Sequence, residues 1–230
     1  MNDGLHIVVI QFANEIDSQR LVKFRGAVVA ALEEKDILFH NHDNDRLRYA
    51  YPLIQYKCIH GKAAVVGIGK GVDVITNLLD VQDFHFSIGK ETVEMKMEAV
   101  KSYDNEILLT EKPTCRYRLR NWLPLNTGNY AQFQNAVGLV ERVMMLEDVL
   151  TGNILSFLKG NDIYIDRPIE VHITDIKGQH GVIYKRLRLM AFDIEFRTNI
   201  SLPQYIGLGK SASVGYGVVT KITNKTNIII

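Results

Sequence analysis

The segment "YPLIQYKCIHGKAAVVGIG" (Tyr51–Gly69) decides the fold. Its two apolar runs, "YPLIQYKCI" and "KAAVVGIG", meet at His60-Gly61-Lys62, a short glycine-containing join of the kind that closes a β-hairpin. Upstream, "LHIVVIQF" (Leu5–Phe12) is β-branched, bounded by polar residues, and reads as a strand. Asp17 and Ser18 then offer an N-cap, and Leu21, Phe24, Val28 and Leu32 recur at helical spacing through "QRLVKFRGAVVAALEE". Downstream, "KGVDVITNLLD" reads as a short helix and "TVEMKMEAVKSY" (Thr92–Tyr103) alternates as one final strand.

The order β-α-β-β-α-β is the ferredoxin-like unit, and it closes at about 100 residues, an ordinary size for one domain. A second pass begins near Asp104 with "EILLTEKPTCRYRLRNWLPL", followed by a long helical run from about Tyr130 to Leu158 and three strand-like stretches. Gly138 and Gly152 both weaken that helix, and a break is expected near Thr151-Gly152-Asn153. The expected class is therefore α+β, with tandem ferredoxin-like (RRM-like) domains over 1–104 and 105–230. No low-complexity linker separates them, so the two are expected to pack together.

The chain has 230 residues, 47 % of them hydrophobic, enough for a sizeable core. Its net charge of +1 hides an asymmetry. Residues 1–100 hold 11 Lys/Arg against 14 Asp/Glu, whereas residues 101–230 hold 16 against 12, so a polyanion is expected to lean on the second half. Cys58 and Cys115 show neither zinc nor disulfide spacing, and neither a signal-peptide pattern nor a membrane-length apolar run is present. A reducing cytoplasmic location without membrane contact is the expectation.

The sharpest motif is "GLGKSASVGYG" (Gly207–Gly217), with Lys210, Ser211 and Ser213 between the glycines at 207, 209, 215 and 217. Glycines let a backbone approach a ligand closely and turn several N–H groups toward a phosphate. A P-loop is excluded because Gln204 stands where its first glycine belongs, and a dinucleotide fingerprint because "YGVVTKI" continues as a strand. A glycine-rich bend between strands is the plainer reading of spacing alone. "GIGKG" (Gly67–Gly71) reads as a tight β-α turn.

Gly-x-Gly, five residues, then Gly-x-Gly near the end of a tandem ferredoxin-like chain resembles the signature loop of the RAMP superfamily of CRISPR-associated proteins. With "FRGAVVAALEEKDILFHNHDNDRLRYAYPLIQYK", where a histidine-bearing loop precedes a Tyr-Pro-led strand, nearly the whole chain resembles a CRISPR repeat-processing endoribonuclease. That resemblance implies metal-independent cleavage of precursor CRISPR RNA by its own 2′-hydroxyl, leaving 2′,3′-cyclic phosphate and 5′-hydroxyl ends. It also implies a reactive histidine after the first helix, where His40 and His42 stand. No cofactor and no metal are expected. The partners implied are CRISPR repeat or guide RNA and other CRISPR-associated effector subunits, with a homodimer left open. The rival reading is a catalytically silent RAMP scaffold that only holds guide RNA.

Histidine titrates near neutrality and suits either proton role in such a reaction. His42 is expected as the base, His40 as acid or phosphate donor, and Tyr49 as the group orienting the phosphate, with Tyr51 the less favoured alternative because it can pack in the strand. Lys35, Arg46 and Arg48 are further cations nearby. Two other readings of "FHNHDNDRLRYAYP" stay open: loops collect His, Asn and Asp as turn formers, and His-x-His with Asp43 and Asp45 can ligate a metal. For RNA contact, Arg116, Arg118 and Arg120 fall on one face of a strand, and Arg186 and Arg188 repeat the pattern. Such alternation also serves a solvated strand face.

Overall fold

In the computed structural model, residues 4–31, 51–81, 84–184 and 186–223 are described, together with the backbone of the pairs 42–43 and 46–47. Strand β1 (Leu5–Glu15) buries every residue from Ile7 to Ile10 and then Phe12, so it is covered on both faces. Its continuous apolar run follows from that placement. Asp17 caps the next turn by accepting from the Gln19 N–H at 2.9 Å, and α1 (Leu21–Ala31) lays Phe24 edge-on to Phe12, ring centroids 5.8 Å apart. The backbones of β2 (His42–Asp43) and β3 (Arg46–Leu47) form a short antiparallel ladder.

Strands β4 (Ile54–Ile59) and β5 (Lys62–Ile68) form the expected hairpin. Its two loop residues, His60 and Gly61, both take positive φ (53° and 82°), the backbone of a type I′ turn. A short helix, α2 (Gly71–Thr76), follows and ends in a tighter turn over Asn77–Asp80. The single strand expected from Thr92 to Tyr103 is instead two. A hairpin of β6 (His85–Ile88) and β7 (Glu91–Glu94) precedes β8 (Met97–Asn105), and the Met95 N–H, donating to the Phe84 carbonyl at 2.7 Å, keeps the hairpin's register one residue past β7. The sheet runs β4-β5-β1-β8, antiparallel throughout.

The second half repeats the plan with β9 (Cys115–Trp122), α3 (Thr127–Asn135), α4 (Gly138–Gly160), β10 (Val171–Tyr184), β11 (Leu187–Thr198) and β12 (Val218–Lys221). Its sheet order, β10-β11-β9-β12, is the same permutation, so the molecule is α+β with two ferredoxin-like domains. The helix break lies elsewhere than expected. Val137 is extended and Gly138 takes φ +86°, which ends α3 and starts α4, and α4 then runs unbroken through Gly152. Gly152 costs that helix about 1 kcal/mol relative to alanine. Burial of Leu146, Leu150, Ile154 and Phe157 offsets it.

Between β11 and β12 the second half has an irregular stretch, 199–217, where the first half has α2. The two halves also share a core. The β1 and β5 side chains Val8, Ile10, Ala63 and Val65 face α1 and α2, whereas Ile7, Val9, Ala64 and Val66 join one cluster with Leu119, Trp122, Ile154, Phe157 and Ile194 of the second half. The first sheet is thus buried on both sides.

Candidate nucleic-acid interface

The glycine-rich stretch is a closed loop whose ends pair antiparallel. Leu208 N–H donates to the Gly217 carbonyl at 2.8 Å, and Gly207 bridges Val218. A Cβ on Gly217, which sits at φ +60°, would collide with the Leu208 carbonyl oxygen, so only glycine serves there. Gly207 has an ordinary backbone, but a Cβ would lie 2.6 Å from Lys57 Nζ. The loop also holds Ser211 at φ +60°, a left-handed conformation uncommon for a residue with a side chain.

The loop is tied to the first half by strand β4. Tyr56 N–H donates to the Ser213 carbonyl at 2.7 Å, Lys57 Nζ to the Ala212 carbonyl at 2.8 Å, and Gly207 N–H to Gln55 Oε1 at 2.8 Å. Gln55 Nε2 in turn donates to the Tyr51 hydroxyl and to the Pro52 carbonyl, both at 2.9 Å. Gln55 and Lys57 are both fully buried. Neither was singled out from sequence; the available signal was a pair of polar residues two apart within a buried apolar strand, which demands partners for both. Tyr51 is buried, packs edge-on against Phe157 at 5.2 Å, and has its phenol pKa pushed far up by burial. It is a packing residue and a hydrogen-bond acceptor.

On β9, Arg116, Arg118 and Arg120 lie on the face opposite buried Tyr117 and Leu119. They are not equivalent. Arg118 pairs with Glu195 at 2.7 Å, and Lys177 bonds Asp175 at 2.5 Å, so charge in the middle of this face is compensated. Arg120 lines a cleft of about 430 Å³ between the halves, with Asp17, His60, Asn121 and Tyr205. Arg116 stands opposite Arg197, four residues along β9 from Arg120, or roughly 13 Å away.

The β10–β11 hairpin carries Arg186, at φ +65°, and Arg188 on its exposed end. This hairpin reaches the glycine loop: the rings of Tyr184 and Tyr216 meet edge-on at 5.6 Å. Asn121, at the end of β9, is the joint. It takes φ +50°, accepts from Gly217 N–H through its carbonyl at 3.1 Å, and meets His180 Nε2 through Oδ1 at 3.0 Å. Its own N–H donates to Asp193 Oδ1 at 2.7 Å. The fold therefore gathers Arg120, the Arg186–Arg188 hairpin end and the loop with Lys210 and Ser213, and leaves Arg116 apart. Asn121 carried no sequence signal, because its partners lie 59 or more residues away.

His40 and Tyr49, with Lys35, Asp45 and Arg48, lie outside the described residues. His42, Asp43 and Arg46 are placed by backbone alone, with His42 opposite Leu47. In the chain the segment lies between α1, which ends at Ala31, and buried Tyr51, three residues before β4. Elsewhere His6 pairs with Asp104 at 2.7 Å. Among the described residues no three His, Cys, Asp or Glu side chains gather where a metal ion could sit, and no helix is long and apolar enough to cross a membrane.

The model of the Cas6b N-terminal domain matches residues 3–106, and that of the Cas6b C-terminal domain matches residues 109–222. A crystal structure of Cas6b, 27 % identical, superposes with a TM-score of 0.86 over 95 % of this chain and 99 % of that chain. A crystal structure of the CRISPR RNA processing endoribonuclease Cas6b has the same identity and coverage, with a TM-score of 0.71. An uncharacterized protein of Methanocaldococcus jannaschii is 30 % identical over 101 residues, 44 % of this chain and 67 % of that protein. With both domain models matched end to end along the chain and the fold superposed over nearly its full length, this chain belongs to the Cas6b family.

Proposed function

We propose that this chain processes CRISPR RNA by cutting precursor transcripts within their repeats, using the RNA's own 2′-hydroxyl as nucleophile. It is an endoribonuclease of the Cas6b kind, and the observation that carries this is the pair of Cas6b domain matches together with the full-length superposition. Residues 1–104 supply the chemistry and residues 105–230 the principal RNA contacts. His42 takes the proton from the 2′-hydroxyl as the new P–O2′ bond forms, and His40 delivers one to the 5′-oxygen as the P–O5′ bond breaks. Tyr49 orients the phosphate between them. The products are a 2′,3′-cyclic phosphate and a 5′-hydroxyl, and no metal-bound water is required.

RNA contact falls to Gly207, Gly209, Lys210, Ser211, Ser213, Gly215 and Gly217 with Arg120, Arg186 and Arg188. The junction of glycine loop, hairpin end and interdomain cleft supports that grouping. Arg116 and Arg118 contribute less, because one stands apart and the other is paired with Glu195. The cut repeat stays bound as a guide for other CRISPR-associated subunits. The test is incubation of the purified chain with a panel of CRISPR repeat RNAs in EDTA, with end-group analysis of the products. Cyclic phosphate and 5′-hydroxyl ends without metal are expected. Cleavage that appears only after Mg²⁺ or Mn²⁺ is restored would overturn the mechanism, and tight binding without any cleavage would leave a guide-holding scaffold.

A further inference from the structure

Leu53, just before β4, and Gln55, Lys57 and Ile59 on it turn toward the second half, and two of these four are polar and fully buried. Lys57 has no carboxylate partner among the described residues. Its Nζ reaches the carbonyl of Ala212 in the glycine loop, against the bare Cα of Gly207. A buried amine held by a single backbone carbonyl is costly, which singles out Lys57 and the loop it touches.

The loop's backbone shows what it serves. Three successive carbonyls, of Ser211, Ala212 and Ser213, accept from Val214 N–H, Lys57 Nζ and Tyr56 N–H at 3.0, 2.8 and 2.7 Å. No described peptide bond is cis, and a trans peptide holds its N–H antiparallel to its C=O. With the Ala212 carbonyl directed at Lys57, the N–H of half-exposed Ser213 points away from the core. We propose that Lys57 is a positioning residue for RNA: from behind the glycine loop it fixes the Ala212–Ser213 peptide with its N–H outward for a phosphate oxygen, and it backs that peptide with a cation once the phosphate is bound. This rests on the loop being an RNA contact, as proposed above.

Burial alone lowers the Lys57 pKa to about 7. An anion across the loop favours the charged amine, so RNA binding is coupled to proton uptake at Lys57. Among the described residues the surroundings hold no group that would mask this. β5 sets Ala64 opposite Lys57, the loop presents Gly207 and Ala212, Lys210 is exposed, and Gln55 leads to the Tyr51 phenol, which burial keeps neutral.

The experiment measures affinity of the full chain for a fluorescein-labelled repeat RNA, chosen as the fastest-cut member of the panel and made 2′-deoxy at its cleavage site. Lys57→Met is expected to weaken binding about tenfold at pH 6.5 and only about twofold at pH 8.5, without lowering Tm. Lys210→Ala serves as the control on the loop itself. If Lys210→Ala weakens binding while folded Lys57→Met stays within about twofold of wild type at both pH values, this inference fails and the loop reading stands. If neither variant changes binding, the loop reading fails and takes this inference with it. An equal loss at both pH values makes Lys57 a structural prop and also overturns the proposal. Should Lys57→Met not fold, ¹⁵Nζ-lysine NMR of the wild type at pH 7.5 decides: a Lys57 signal that moves toward ammonium on RNA addition is expected, and an unmoved one contradicts it.

Discussion

The two halves thread four strands in the same spatial order, yet they finish differently. Before its last strands the first half forms α2, which buries Val72, Val74 and Ile75 against its sheet. At the corresponding place the second half leaves residues 199–217 irregular, with a loop that crosses to β4. A helix spends its backbone donors on itself, whereas a loop pinned by its carbonyls keeps some N–H groups for a ligand. One topology thereby supplies a packing element in one copy and, in the function proposed for this chain, an anion-binding element in the other.

Several variants can break or sharpen that contrast. The largest effect is expected from His42→Ala, which should lower single-turnover cleavage by about 10²- to 10⁴-fold while leaving repeat RNA affinity within about twofold. Comparable losses of both would erase the separation between a cutting half and a binding half. Next is Gly217→Ala, which places a Cβ against the Leu208 carbonyl at a positive φ and should cost about 3 kcal/mol by denaturant unfolding. Its counterpart, Gly152→Ala, lies on α4 with nothing within 4 Å of the new Cβ and should gain up to about 1 kcal/mol. Similar signs for the two would show that the loop's closure is not what its glycines maintain.

Smaller differences fall within the half proposed to bind RNA. Lys210→Ala should weaken RNA binding severalfold and reduce the salt slope by about one. Arg118→Ala should change affinity less, because Glu195 already engages that guanidinium. The reverse order would move the RNA track from the loop to the open face of the second sheet. Lys57 also leaves a mark on stability. Its folded pKa, about 7, lies below its ordinary value of 10.5, so between those limits the unfolded chain holds more protons than the folded one. Wild-type stability should therefore rise with pH across that window relative to Lys57→Met, and a flat difference in urea unfolding would contradict the buried neutral amine.

Much of this architecture is legible in local pattern. "LHIVVIQF", the His60-Gly61 turn and the Asp17 cap each specify their element through residues a few positions apart, so the β-α-β-β-α-β order emerges without the structure. The β6–β7 hairpin is not legible: its strands are four residues each, and the alternation after Thr92 runs smoothly across Met95 and Lys96, where β7 gives way to β8. Gly152 misled for a related reason, since glycine weakens a helix by less than the buried face of α4 restores, whereas the extended Val137 beside Gly138 ends one. For the candidate site the division is sharper. The glycine loop announces itself by composition, but its seat on Gln55 and Lys57, the Asn121 joint and the Arg118–Glu195 pair depend on contacts 59 to 155 residues apart. Tertiary register alone creates those.

The most direct test of the loop's role is hydrogen exchange of the full chain with and without the 2′-deoxy repeat RNA. Slowed exchange concentrated at 209–216 and at the hairpin end around Tyr184 is expected, with α1 and α2 unchanged. Protection over the outer faces of α1 and α2, with amides 209–216 exchanging as they do without RNA, would contradict the account.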